Sequence, residues 1–186
     1  MLRERTFTGV RLGIVTLAAV VLFAVACGQS GEASLVDYRD PRSGFVVRHP
    51  ARWIISADPT RSLLWVVPPA FAQEPATAPE FILVLTRAAT AQLDEAGRRE
   101  ALFTLVSIHG VSEFRRDARA TPTLFWDRFE VTGASGTIEW ASAGVVVTGD
   151  RGFHVLVCAK PFAQWRTGQQ QCAEVVATFQ PGPLAR

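Results

Sequence analysis

The sequence is poor in the residues that usually build reactive sites. It holds three cysteines and three histidines in 186 residues. Cys27, Cys158 and Cys172 contain no Cys-x-x-Cys pair, which excludes a thioredoxin-type redox motif. His49, His109 and His154 stand far apart, none at metal-ligand spacing from another His or Cys. No Gly-x-Ser-x-Gly turn occurs; Gly133-Ala134-Ser135-Gly136 lacks that spacing and joins two strand-like segments. Internal repeats and heptads are missing as well. The basic surplus is also thin, 19 Lys and Arg against 17 Asp and Glu, and it belongs to the N-terminus. Residues 1–26 contain Arg3, Glu4, Arg5 and Arg11, so the remainder is formally neutral. A neutral domain offers no clustered positive charge to displace counterions from phosphates, which argues against nucleic acid as a partner.

The N-terminus is the most informative stretch that is present. Arg3, Arg5 and Arg11 precede an apolar run from Leu12 to Ala26, and small residues lead to a break at Cys27 and Gly28. These are the three parts of a secretory signal. A spanning helix needs about 20 apolar residues, more than this run supplies, so a permanent transmembrane anchor is the weaker reading. Phe23-Ala24-Val25-Ala26-Cys27-Gly28 resembles the bacterial lipobox, which implies cleavage before Cys27 and a lipid on its sulfur. The lipobox position three before the cysteine, usually Leu, is Ala24, so Ala24-Val25-Ala26 also fits a plain Ala-x-Ala cut that would simply secrete the domain. Lipidation of Cys27 leaves Cys158 and Cys172 as a pair and no thiol over. The expected division is a signal peptide over 1–26, a lipidated tether over 27–34 and one domain over 35–186.

Within that domain short apolar segments alternate with turn residues. Phe45 to Arg48, Trp53 to Ser56, Leu63 to Val67 and Phe81 to Thr86 read as strands. Leu63-Leu64-Trp65-Val66-Val67 and Phe81-Ile82-Leu83-Val84-Leu85 are apolar at both parities, as strands covered on both faces must be. Leu124 to Val131, Thr137 to Thr148 and Phe153 to Ala159 are separated by short Gly-containing loops, too short for parallel crossovers, and predict an antiparallel meander. One helix is expected from an N-cap at Thr90 to just before Gly110, and a second from Phe162 to Phe179, with Gly168 a point where it divides. The sum is an α+β domain, an antiparallel sheet with helices packed on both faces.

Tyr38-Arg39-Asp40-Pro41-Arg42-Ser43-Gly44-Phe45, followed by His49-Pro50-Ala51-Arg52-Trp53, resembles the opening of the PsbP and DcrB-like superfamily. Ala177-Thr178-Phe179-Gln180-Pro181 is similar to that superfamily's closing helix. His49 stands where the family carries Tyr. The resemblance implies an α/β/α sandwich over roughly residues 35 to 181 that binds or assembles without a shared catalytic site, often exported and lipid-anchored in bacteria.

The remaining candidates rest on placement. Cys158 on a buried strand and Cys172 on the apolar face of the next helix suit a disulfide worth about 3 kcal/mol for a loop of this size; the alternative is two buried thiols. His109, before Gly110, reads as a helix C-terminal cation, and His154 as a buried imidazole. Glu113, Asp117, Asp127, Glu130 and Glu139 alternate with Arg115, Arg116, Arg119 and Arg128 as on a solvated, balanced surface. Pro68, Pro69, Phe71 and Pro75 stiffen a long segment that is either a binding loop or a mobile insertion. Most of the five tryptophans are assigned to the core. The expected function is a non-catalytic binding or assembly module of the cell envelope without a cofactor, held by its lipid on the outer face of the cytoplasmic membrane or on the outer membrane. Its partner would be an envelope protein or a small apolar ligand. The alternative is a hydrolase using His49 or His154 with a nearby carboxylate.

Overall fold

The computed structural model describes residues 34–89, 93–103, 108–135 and 138–184. The expected signal, Cys27 and Thr90 lie outside them. From Ser34 onward the chain belongs to one compact unit.

Strand β1 (Leu35–Arg39) pairs with β2 (Val46–Pro50) in a separate two-stranded hairpin. The remaining strands are β3 (Ile54–Asp58), β4 (Leu63–Val67), β5 (Phe81–Ala88), β6 (Ile108–Arg116), β7 (Phe125–Ser135), β8 (Ile138–Gly149) and β9 (Gly152–Pro161). They form one antiparallel sheet in the order β3-β4-β5-β9-β8-β7-β6. The meander expected from the Gly-containing loops is present as β7-β8-β9, and the central strands β5, β8 and β9 are apolar on both sides because both are covered.

Alternation assigns the side chains to two cores. Leu64 and Val66, Ile82 and Val84, Val145 and Val147, and Leu156 and Cys158 face one of them. Leu83 and Leu85, Val146, and Val155 and Val157 face the other. Helix α2 (Trp165–Thr178), preceded by a 3-10 turn over Phe162–Gln164, lies on the first face. Its buried residues Cys172, Val175 and Val176 recur at helical spacing, and Cys172 is bonded to Cys158 with a Cα–Cα distance of 5.3 Å. The disulfide thus clamps α2 to β9 inside the first core.

Helices on both faces are seen only in part. Helix α1 (Glu95–Phe103) is short, and much of the second core is closed instead by Phe71 and Ala78 of the proline-rich segment and by Leu93. The long helix expected between Thr90 and Gly110 ends at Phe103, and the chain changes to strand β6 at Ile108. His109 therefore lies in a strand and is no helix-terminal cation. The apolar cluster from Leu102 to Ile108 reads as one diffuse helical face because a helix end and a strand start are joined within it. Strand β1 carries a half-exposed, polar pattern that gives little strand signal by itself; its register with β2 sets it.

Gly168 does not divide α2. A Cβ there would fall 2.8 Å from Lys160 Cγ, so the glycine admits the lysine stem against the helix. Asp117 and Asp127 are also not part of a solvated surface; both are buried. Asp127 is paired with the buried Arg98. Asp117 lies 3.0 Å from Arg119 Nε and 2.6 Å from Arg128 Nε. Once Arg116 and Asp127 are cross-strand partners, the alternating charges become a network at the edge of the sheet.

Antiparallel pairing gives the domain two distinct ends. The chain enters at one, where Ser34 accepts a hydrogen bond from Ala51 at 2.9 Å, and where β2 ends, β3 begins and β9 runs out into Phe162. The other carries the Asp40–Gly44 turn, the β3–β4 turn and the β8–β9 turn.

Candidate functional site

At the end remote from Ser34 the β1–β2 turn and the β3–β4 turn face each other across a cavity of about 480 Å³. The first wall is built by Asp40. One of its oxygens accepts the Ser43 N–H (2.7 Å), the Ser43 hydroxyl (2.6 Å) and the Arg42 N–H (3.2 Å). Gly44 closes the turn at φ +75°, a conformation that disfavours a side chain. Burial pushes the Asp40 carboxyl up, but these hydrogen bonds and one from Tyr38 overcome it and hold the group below its ordinary value. Burial and the Asp40 charge raise Tyr38, the only tyrosine in the sequence, so its phenol remains a donor. On the opposite wall Asp58 does the same for its own turn, accepting from the Thr60 hydroxyl at 2.6 Å and from the Thr60 and Arg61 N–H groups. The Thr60 hydroxyl is the main reason that carboxyl also lies below its usual value.

The floor is Phe45, Leu64 and Val84, all buried. Thr86 is the polar element beside them. Its Oγ1 lies 2.8 Å from His154 Nδ1, and the Gly182 N–H donates to His154 Nε2 at 3.2 Å. The second bond fixes the tautomer, because an acceptor Nε2 requires that Nδ1 carry the proton. Nδ1–H therefore donates to the threonine oxygen and cannot withdraw its proton. Burial lowers the His154 pKa from 6.5 to about 4, against a small opposing pull from Asp40. The ring packs edge-on against Phe45 and Phe179. His154 is the buried imidazole expected from its strand face.

His49, buried on β2 opposite Val36 of β1, lies with Nδ1 2.9 Å from the Pro50 carbonyl, to which it can only donate. His154 therefore has no lone pair left for the hydrolase alternative, while Nδ1 of His49 is engaged with a carbonyl. Among the described residues no group of three or more His, Cys, Asp or Glu could hold a metal ion.

The other candidates are dispersed. Pro69–Phe71 and Pro75–Thr77 form two short 3-10 turns at the opposite end, with Phe71 packed on the second core. Pro68 and Pro75 thus belong to a cover over the sheet that lies far from the cup. Trp126 and Trp140 are buried, and Trp53, Trp65 and Trp165 pack against one core or the other. Sequence reasoning took Tyr38, Asp40 and Phe45 as part of a family signature without seeing that they line a cavity, and it missed Asp58, Ser62 and Thr86. Asp58-Pro59-Thr60 is the signal that was available, a turn whose side chains cap their own backbone.

The fold is PsbP-like. The solution structure of cyanobacterial PsbP (CyanoP) from Synechocystis matches with a TM-score of 0.57 at 15% identity, covering 84% of this chain and 97% of that one. A Bacteroides thetaiotaomicron crystal structure matches at a TM-score of 0.48 and 15% identity, over 78% of this chain and 47% of that one. LpqN of Mycobacterium tuberculosis, described as involved in cell envelope biogenesis, matches at 0.43 and 13% identity, over 81% and 91%. No family model and no curated protein matches the sequence.

Proposed function

We propose that this protein is an envelope lipoprotein, anchored through Cys27, whose domain binds a small and largely apolar molecule in the cup without transforming it. The observation that carries this reading is the composition of the cup. Its floor is hydrocarbon, while its rim carboxylates are already engaged by their own turns, so an apolar body can enter without leaving a buried charge unpaired. The phenol of Tyr38 and the hydroxyl of Thr86 supply the few polar contacts that would orient it. The neutral, doubly engaged His154 supports holding the ligand over attacking it. The anchor rests on the sequence before Cys27 and on the use of the other two cysteines in the disulfide.

Ala57 lies on the exposed side of the edge strand β3 and lines the mouth of the cup. Ala57→Trp would fill the opening without touching the core. Organic extraction and mass spectrometry of the protein purified from membranes should recover a bound apolar compound from the wild type and about tenfold less from the variant, the loss expected from about 1.4 kcal/mol of lost binding. Equal recovery from both, or none from either, would sink the proposal. The intact mass of the mature protein, compared with Cys27→Ala, tests the anchor separately.

A further inference from the structure

The end at which the chain enters has a different character from the cup. Among the described residues the exposed large hydrophobic side chains are Val36, Ile54 and Phe162, at 40%, 41% and 56% exposure. Strand register places all three at that end. Val36 pairs with His49, one residue before the end of β2; Ile54 opens β3 opposite Val67; Phe162 directly follows the last residue of β9. Lys160 joins these elements, with its Nζ 4.9 Å from the centre of the Trp53 ring and 2.6 Å from Glu80 at the close of the proline-rich segment. Scattered exposed hydrophobics need no explanation, but these are all gathered where the chain comes in.

We infer that this end docks on a phospholipid surface, with Val36, Ile54 and Phe162 in the interface and the cup facing away from the membrane. The inference rests on the proposed anchor at Cys27. Six residues lie between Cys27 and Ser34, a span of seven steps that reaches at most about 25 Å when fully extended. A tether that short raises the local concentration of lipid seen by this end of the domain, so three partly exposed apolar side chains suffice where they would not hold a free protein. Exposed charges at this end balance, Arg52 and Arg166 against Glu74 and Glu139, and Asp37 beside Val36 is paired with Arg48. The docking is therefore apolar and insensitive to salt, unlike the attraction of a basic patch to anionic lipid.

The test separates docking from anchoring. The chain beginning at Cys27 is coupled through that residue, whose thiol is available because Cys158 and Cys172 are bonded to each other, to a maleimide phospholipid in vesicles of phosphatidylethanolamine and phosphatidylglycerol. Hydroxyl-radical oxidation is compared with the same chain capped by N-ethylmaleimide in solution. Ile54 and Phe162 should be oxidised several-fold less on vesicles, in low and high salt alike, while Tyr38 and Leu63 at the cup are unchanged. Phe162→Asp should lower the docked-to-undocked ratio about tenfold and return Ile54 towards its solution rate. Equal oxidation of Ile54 and Phe162 in both states, or a uniform fall at both ends, would overturn the inference. Because the synthetic lipid replaces any cellular one, that failure would bear on docking alone, whereas an unmodified Cys27 in protein made by cells would count against the anchor alone.

Discussion

The two ends of the sheet manage polar and apolar groups in opposite ways. At the cup, Asp40 and Asp58 turn their carboxylates back on their own backbones, and a buried histidine has both nitrogens engaged. Polar groups are thus internally satisfied around an apolar floor, which suits the holding of an apolar molecule. At the other end Ile54 and Phe162 remain in water. A cavity can be finished within one chain, whereas a flat apolar surface gains only when something covers it. What each end leaves uncovered separates the two.

The largest effect that separates them should come from Trp140→Ala. Trp140 is 2% exposed, stacks edge-on near Phe81 and anchors the second core at the end where the chain enters. Its removal should cost about 3–5 kcal/mol in a denaturant titration. The cup should keep its turns until the domain unfolds as a whole, and early loss of the cup would show that the ends are not independent.

Acid should act through the cup. The imidazole of His154 takes up a proton near 6.5 in the unfolded chain but only near 4 in the fold. Between those values the unfolded state binds more protons, so stability is complete above about pH 6.5 and falls on acidification towards pH 4, by on the order of 3 kcal/mol. In His154→Gln that slope should largely vanish. A wild-type stability independent of pH over this window would mean that the imidazole is not held neutral. Asp40 and Asp117, both below the ordinary carboxylate range, add a loss of the same sign at lower pH.

The smallest effect should come from Ile54→Asp in the soluble domain. The side chain is exposed on an edge strand, so thermal unfolding should move by no more than about 0.5 kcal/mol. A larger loss would show that Ile54 belongs to the core.

Much of the architecture was legible because it is local. Runs apolar at both parities identified β4 and β5 as covered on both faces, and the spacing of Cys172, Val175 and Val176 marks the face of α2. The stretch from Thr90 to Arg116 misled because Leu102 to Ile108 carries apolar residues at neither a helical nor a strand period, which makes a helix and the strand after it look like one long helix. Asp117 and Asp127 misled for a related reason. A carboxylate between arginines is ordinary on a surface, and only the tertiary structure, which brings Arg98 to Asp127 and Arg128 to Asp117, takes these two out of water.

The residues in order determine the formal neutrality of residues 27–186, the hairpins, and the alternation that places every central strand between two cores, because these depend on composition or on neighbours within a few positions. The cup, the tautomer of His154, the burial of Asp127 and the gathering of Val36, Ile54 and Phe162 at one end were decided by tertiary structure. Each depends on groups tens of residues apart, which only the order of strands in the sheet and their register bring within a few ångströms.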